Sequence, residues 1–269
     1  MKGGSVLVVL PTLGDRLDTL ELTLRSVDDQ RHDVALRLVV VAPESAVAAR
    51  ALSERFGATV VGDPKTGISA AINAGIEAAD AESYYAWMGD DDLYRPGGLR
   101  KLVDLMESGP DVVVGYGGCD YIDPDGRTIG TSRAGRAARW LLPWGPDLIP
   151  HPGSMIRLDA MRQVGLFDPS LKYAMDLDMF LRLRSSGRYR STRESVSAFR
   201  WHPDSLTVSN RQASSAESEA VKRRHLSPAL RPIAPLWELP VRWAAARAAL
   251  AVSSRARKLA TDREVSHAG

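Results

Sequence analysis

Residues 84–98 read YYAWMGDDDLYRPGG. An apolar, aromatic run ends in three consecutive aspartates, Asp90, Asp91 and Asp92, and the chain then turns through Arg95-Pro96-Gly97-Gly98 into a new apolar pattern. Adjacent carboxylates repel one another, so the triplet needs either free solvent or a cation to hold it together. Strand, polar turn and helix in this order form one unit of an α/β protein, and the unit recurs upstream. SVLVVL (5–10), LRLVVVA (36–42), ATVVG (58–62), SYYAWM (83–88) and DVVVGYG (111–117) are short β-rich runs, mostly without polar alternation, as expected of strands covered on both faces. Between them, apolar residues fall at helical spacing: Leu17, Leu20, Leu24 and Val27; Val47, Ala51, Leu52 and Phe56; Ile68, Ile72, Ile76 and Ala79; Leu99, Leu102, Val103 and Met106. This alternation predicts a mostly parallel sheet with helices on both faces.

In open sheets of this kind, ligands bind outside the carboxyl ends of the strands. Those ends present Pro11-Thr12-Leu13-Gly14-Asp15-Arg16, Ala42-Pro43-Glu44-Ser45, Gly62-Asp63-Pro64-Lys65 and Gly89-Asp90-Asp91-Asp92, so small, polar and acidic residues converge on one edge. Carboxylates there suit a hard divalent cation, Mn2+ or Mg2+, which takes oxygen ligands and leaves room for substrate phosphates. An exposed acidic turn capping the next helix is the plainer reading of the triplet alone. Its position at the active edge favours the cation.

Beyond residue 118 the pattern changes. YIDPDGRTIG (121–130) reads as a hairpin about Asp-Gly, and RAGRAARWLLPWGPDLIP (133–150) as a long loop of the sort that is commonly functional. HPGSMIR (151–157) reads as a strand, residues 174–186 as a helix with Met175, Met179, Phe180 and Leu183 as its buried stripe, and SVSAFRWHPDSLTVSN (195–210) as a closing strand and loop. From 212 onward the pattern is helical, broken by Pro228, Pro232, Pro235 and Pro240.

Several motifs, taken in order over about 5–207, resemble glycosyltransferase family 2, inverting enzymes of the GT-A fold. They are VLVVLPTLGDR at the first strand, TGISAAINAGIEAADAESYYAWMGDDD, then HPGSMIR and VGLFDPSLKYAMDLDMFLRL, and RWHPDSLT. The resemblance implies a Rossmann-like α/β catalytic domain over 1–210, with a nucleotide-binding half to about 118 and an acceptor-binding half over 119–210. It implies that the triplet is the DXD motif, with Asp92 as direct metal ligand, Asp90 on ribose or metal, and Asp91 beside them. On the donor side it marks Pro11, Thr12 and Leu13 at the first strand, Arg16 near a phosphate, Glu44 where the family commonly has an aspartate, Asp63, and the helix segment with Gly67, Asn73 and Gly75. His202 is implied near the diphosphate or metal, with a purely structural histidine as the alternative. His151, Pro152, Gly153 and Trp201 are expected along the acceptor.

An inverting transfer needs a base on the acceptor's side. By resemblance it lies in YAMDLDMF, where Asp176 is the first choice and Asp178 the alternative; Met175 stands where the family often has Glu. The implied partners are a nucleotide-sugar donor, UDP or dTDP first, and a glycan, lipid-linked or small-molecule acceptor, with no nucleic acid. A sugar-phosphate nucleotidyltransferase would want a glycine-rich loop after the first strand, which PTLGDR lacks. A metal phosphoesterase would want clustered histidines, and the five here are scattered. A non-catalytic sugar- or nucleotide-binding protein of the same fold remains the alternative from another class.

The formal charge of +2 conceals an asymmetry: residues 211–269 carry 11 Lys/Arg against 5 Asp/Glu, leaving 24 against 28 for the rest. Residues 211–269 therefore read as a basic helical extension. Trp237 and Trp243 among arginines suit peripheral contact with an anionic membrane, with a helical lid or a homodimer contact as the alternatives. One cysteine, Cys119, excludes an intrachain disulfide and fits a reducing cytoplasm. No run of 18 uncharged apolar residues occurs, so no membrane span is expected.

Overall fold

In the computed structural model, residues 4–133, 135–201, 210–244 and 246–247 are described. The expected strands form as β1 (Val6–Pro11), β2 (Leu36–Ala42), β3 (Thr59–Gly62), β4 (Tyr84–Trp87) and β6 (Val112–Ile122), joined by helices α1 (Leu17–Asp28), α2 (Val47–Arg55), α3 (Ile68–Glu77) and α4 (Gly98–Glu107). A two-residue strand, β5 (Leu93–Tyr94), follows the aspartates directly. The second half adds β7 (Thr128–Ser132), α5 (Ala138–Leu141), β8 (Ser154–Arg157), α6 (Leu158–Val164), α7 (Met175–Leu183), β9 (Arg188–Arg200) and α8 (Arg211–His225).

All nine strands belong to one sheet, ordered β3-β2-β1-β4-β8-β6-β9-β5, with β7 paired to β6. Strands β1 to β4 run parallel, β8 is antiparallel to both its neighbours, and β6 is parallel to β9. The hairpin closes where expected, Ile122 facing Thr128. Three expectations are corrected. His151–Gly153 is a 3-10 turn, and the strand begins only at Ser154, because Pro152 cannot donate to a ladder. Helix α7 stops at Leu183, short of Ser186. Strand β9 starts at Arg188, seven residues before its apolar part. RYRSTRE hides this start because it lies half-exposed and draws its pairing from β6, and charged side chains there carry no apolar signal.

Side chains alternate across each strand, so a doubly covered strand feeds two cores. Val6, Val8 and Leu10 of β1 pack with Leu38 and Val40 of β2 beneath α1, α2 and α4. Leu7 and Val9 pack with Val39 and Val41 beneath α3, α6 and α7. Val221 of α8 is fully buried in this second cluster, so α8 shares the core of the preceding chain.

Close backbone approaches fix how the helices sit. A Cβ on Gly98 would lie 2.1 Å from the carbonyl oxygen of Val196 in β9, and one on Gly75 would lie 2.4 Å from Val9 Cγ1. Gly75 is thus a packing position, letting α3 lie close on β1 and β2.

Candidate active site

The carboxyl ends of β1 and β4 face a cleft of about 1730 Å3 whose walls come from both halves of the sheet and from α8. At its floor the aspartate triplet is stabilised from several sides. Thr12 Oγ1 donates to Asp90 Oδ2 at 2.7 Å, while Arg16 reaches Asp90 Oδ1 at 3.1 Å and Asp91 Oδ2 at 2.6 Å. Asp92 Oδ1 accepts the Arg200 backbone N–H at 3.0 Å. The Arg200 side chain, itself buried, donates to the carbonyls of Asp91, Asp123 and Pro124, tying the acidic turn to the β6–β7 hairpin. Gly89 permits the tight turn: a Cβ there would lie 2.9 Å from Asp92 Oδ2.

Two groups at the floor are left over. Asp92 is 1% exposed, and its Oδ2 has no hydrogen-bond partner among the described residues. Burial, with the charge of Asp91 next, pushes its carboxyl well above the usual range, and burial also raises Asp90 against the pull of Thr12 and Arg16. Trp87 Nε1 is likewise buried without a partner among the described residues. An orphaned anionic oxygen costs free energy unless something binds it.

The opposite wall is built by α7. Both aspartates of DLD lie in its first turn, but the helix turns them to different surroundings. Asp178 is buried against Arg182, which donates to Oδ2 at 2.8 Å, and His225 of α8, whose Nε2 lies 3.2 Å from Oδ1. Burial works to raise its pKa, yet His225 and Arg182 outweigh it and hold the carboxyl below the ordinary value. Asp178 does not line the cleft. Asp176 does, and burial, with a smaller push from Glu217 set against the N–H of Leu177, raises its carboxyl to about 6.

Between these walls stands an aromatic group. His151 stacks on Trp87 with ring centroids 4.6 Å apart, and its Nε2 lies 3.2 Å from the Tyr85 hydroxyl. Burial lowers its pKa to about 3, so the ring is neutral at physiological pH. Trp201 packs edge-on to Tyr121 at 5.7 Å, and both face the cleft.

Of the donor-side residues singled out by sequence, Pro11, Thr12, Leu13, Arg16, Asp63, Gly67, Asp90 and Asp91 line the cleft together with Asp92. Gly67, the residue before α3, has φ +114°, a conformation that favours glycine. Glu44 is exposed and outside the lining, where its neighbours Pro43 and Ser45 take its place. Asn73 is also outside: its amide exchanges two hydrogen bonds with the backbone of Phe167, joining α3 to the loop before α7. His151, Pro152 and Trp201, expected along the acceptor, line the cleft, but Gly153 sits behind them, where its missing Cβ admits Pro150 and Ser197. His202 lies outside the described residues. Trp140 and Trp144 lie outside the lining: Trp140 is exposed and Trp144 packs edge-on to Trp237.

Sequence reading missed Asp147, Lys172 and Tyr173 in the lining, and missed the contribution of Gln212, Ser214, Ser215 and Arg242 from beyond residue 210. Loop GPDLIP and helix α8 carry no motif for them. Only Asp147, a lone acid between two prolines in a long loop, offered a signal.

A mostly parallel sheet with a carboxylate cluster at the end of β4 and a second acid across a nucleotide-sized cleft is the arrangement of the GT-A glycosyltransferases. Residues 7–163, more than half of the chain, match the profile described as Glycosyl transferase family 2, and the protein belongs to that family. It is 30% identical over 132 residues to an uncharacterized glycosyltransferase of Rickettsia typhi, a match spanning 46% of this chain and 41% of that one. The chain thus spans less than half the length of that curated relative. Among solved structures it is similar to a mannosyltransferase from Pyrobaculum calidifontis in complex with GDP-Man and Mn2+, with TM-score 0.60, 18% identity and coverage of 97% of this chain and 79% of that one. Similar in fold too is glucosyl-3-phosphoglycerate synthase from Mycobacterium tuberculosis with Mn2+, UDP and phosphoglyceric acid, with TM-score 0.61, 18% identity and coverage of 83% and 78%.

Proposed function

We propose that the protein transfers a sugar, with inversion, from a nucleoside-diphosphate sugar to an acceptor hydroxyl, UDP and dTDP donors being the first choice. One observation carries the reading: a buried carboxylate oxygen without a partner, on Asp92, and a carboxylate of raised pKa, on Asp176, line the same cleft from different walls.

The floor suits a divalent cation. Among the described residues no group of three His, Cys, Asp or Glu side chains forms a cage. A Mg2+- or Mn2+-type ion at a diphosphate needs none, since one or two carboxylates and the phosphate oxygens complete its shell. Asp92 would hold it, with Asp90 beside it, and bound there it supplies positive charge to the departing diphosphate. The chain's own groups do the rest. Arg16 offers a second positive charge at the same edge. Trp87 Nε1 can donate to the donor, and the flat Trp87–His151 stack gives a sugar ring an apolar face. Asp176, ionised, takes the proton of the acceptor hydroxyl as its oxygen bonds to the anomeric carbon and the bond to the diphosphate breaks, its electron pair leaving with the nucleoside diphosphate.

The test is a thermal-shift screen of UDP-, dTDP- and GDP-sugars with and without Mn2+. A ligand present at one hundred times its Kd adds about 2.7 kcal/mol to the native state, a shift of several degrees for a protein of this size. The expected result is a rise that requires both Mn2+ and donor. Rises with donor that are indifferent to Mn2+ would sink the cation's part. Binding without turnover of any donor and acceptor pair would favour the non-catalytic alternative.

A lipid-linked acceptor is favoured by the surface beside the cleft. No helix among the described residues is long and apolar enough to cross a membrane. Instead, Trp140, Leu236, Leu239 and Trp243 are exposed around the Trp144–Trp237 contact, with Arg247 over the Trp243 ring and Arg242 of the same helical stretch lining the cleft. Exposed tryptophan and leucine beside arginine fit the surface of an anionic bilayer. The full chain should pellet with phosphatidylglycerol-containing vesicles several-fold more than a Leu236→Ser/Trp243→Ser variant. Equal pelleting of the two would remove the membrane from the proposal.

A further inference from the structure

Helix α7 begins without a cap of its own: its preceding residue, Ala174, makes no side-chain hydrogen bond to the first turn. The partner for this end comes from α8. Glu217 Oε1 accepts the backbone N–H of Lys172 at 3.0 Å, Tyr173 at 2.6 Å and Ala174 at 2.8 Å, and Oε2 lies 3.2 Å from the Lys172 nitrogen. Three successive amides converging at a helix start form a site for an anion, because their N–H dipoles and that of the helix point the same way. Here the anion is a side chain more than 40 residues away in sequence. The same helix makes two further ties, from Lys222 Nζ to the Gly145 carbonyl at 2.5 Å and from His225 to Asp178. Glu217 does not line the cleft, although Gln212, Ser214 and Ser215 of its helix do.

We propose that Glu217 is a positioning residue of the active site, holding the amides of residues 172–174 so that the first turn of α7 presents Asp176 to the cleft. Helix α8 is then part of the catalytic unit. The inference rests on Asp176 as the base, and it adds the residue that aims it. Geometry gives the physical reason: Asp176 lies two residues beyond Ala174, so a shift of the amide cluster rotates its carboxylate directly. Displacement of a reacting group by about 1 Å can cost on the order of 10²-fold in rate.

The charge of Glu217 also bears on Asp176. The groups facing Asp176 are Glu217 from α8, Asp147 from the loop after α5 and the Tyr85 hydroxyl from β4, and Lys222 faces Asp147 in turn. Removing Glu217's charge alone should therefore ease ionisation of Asp176.

Glu217→Gln keeps an acceptor oxygen and loses the charge; Glu217→Ala loses both. Three measurements on the full chain separate the roles: hydrogen exchange of amides 172–177, a carboxyl NMR titration of Asp176 identified by its loss in Asp176→Asn, and hydrolysis of UDP-glucose and GDP-mannose with Mn2+. In Glu217→Ala, protection of these amides should fall at least tenfold and turnover about 10²-fold, with Kd for UDP and Mn2+ unchanged. Glu217→Gln should retain most protection and turnover while Asp176 titrates lower by about half a pH unit or more. Should Glu217→Ala fail to fold, Glu217→Gln carries the test. Unchanged protection in Glu217→Ala, or an Asp176 titration unmoved in Glu217→Gln, overturns the proposal. Absence of hydrolysis in the wild type would count against the transferase reading instead, while exchange and titration still decide the part played by Glu217.

Discussion

Asp176→Asn is expected to lower turnover about 10²- to 10⁴-fold, the usual contribution of a positioned general base, while leaving Mn2+-dependent donor binding intact. Asparagine fills the same space and can still accept the Leu177 N–H, but it takes no proton. The wild-type rate should also fall tenfold per pH unit below about 6, where Asp176 protonates, and this acid limb should vanish in the variant. Stability should move the other way. The folded-state pKa is raised, from 3.8 to about 6, so the favourable contribution of protonated Asp176 is complete below the unfolded value and is lost as pH rises through about 6. Above that pH, Asp176→Asn should therefore melt higher than the wild type. Asp178→Asn gives the contrast. It breaks the buried pair with Arg182 and the contact with His225, so it should cost about 1–3 kcal/mol of stability with a much smaller effect on kcat. If Asp178→Asn removes the acid limb and Asp176→Asn does not, the roles assigned to the two aspartates are reversed.

Asp92→Asn should have the second large effect, in opposite senses on activity and stability. Loss of the cation's charge on the leaving diphosphate removes several kcal/mol of transition-state stabilisation, so turnover should fall about 10³-fold or more. The Mn2+-dependent thermal shift should disappear with it. Without cation, however, the variant should melt above the wild type at pH 8. An unpartnered buried carboxylate is costlier to hold than the neutral amide that replaces it, and the amide oxygen still accepts the Arg200 N–H. Calorimetry of both proteins with EDTA and with Mn2+ checks both halves. A variant that melts lower than wild type in EDTA, or that keeps the Mn2+ shift, contradicts this account of the floor.

Much of this site was legible before any coordinates. The acidic strand end follows from a local pattern, an apolar aromatic run that stops at three aspartates, and the rule that strand carboxyl ends bear the ligand placed Thr12, Asp63 and Asp90 on one edge. The family resemblance, read from spaced motifs, is borne out by the match over residues 7–163. Other residues singled out lie outside the cleft for identifiable reasons. Glu44 is exposed while Pro43 and Ser45 on either side of it border the cleft, a matter of local geometry that residue type does not encode. Asn73 is spent on the backbone of Phe167, 94 residues away. The start of β9 was invisible because polar side chains on a half-exposed strand look like a loop until the partner strand is known.

The sequence by itself determined the order of strands and helices, the division of apolar residues between two faces of a sheet, and the arrival of carboxylates at its ligand-binding edge. These are periodicities within a few residues, set by backbone geometry and the transfer of apolar side chains from water. Only the tertiary structure separated Asp176 from Asp178, gave two of the triplet's carboxylates to Arg16 while leaving an oxygen of Asp92 bare, and brought Glu217 to the start of α7. Each depends on charges and dipoles from residues 40 to more than 100 positions apart. The ionisation and aim of a side chain are set by what surrounds it in space, which no local pattern carries.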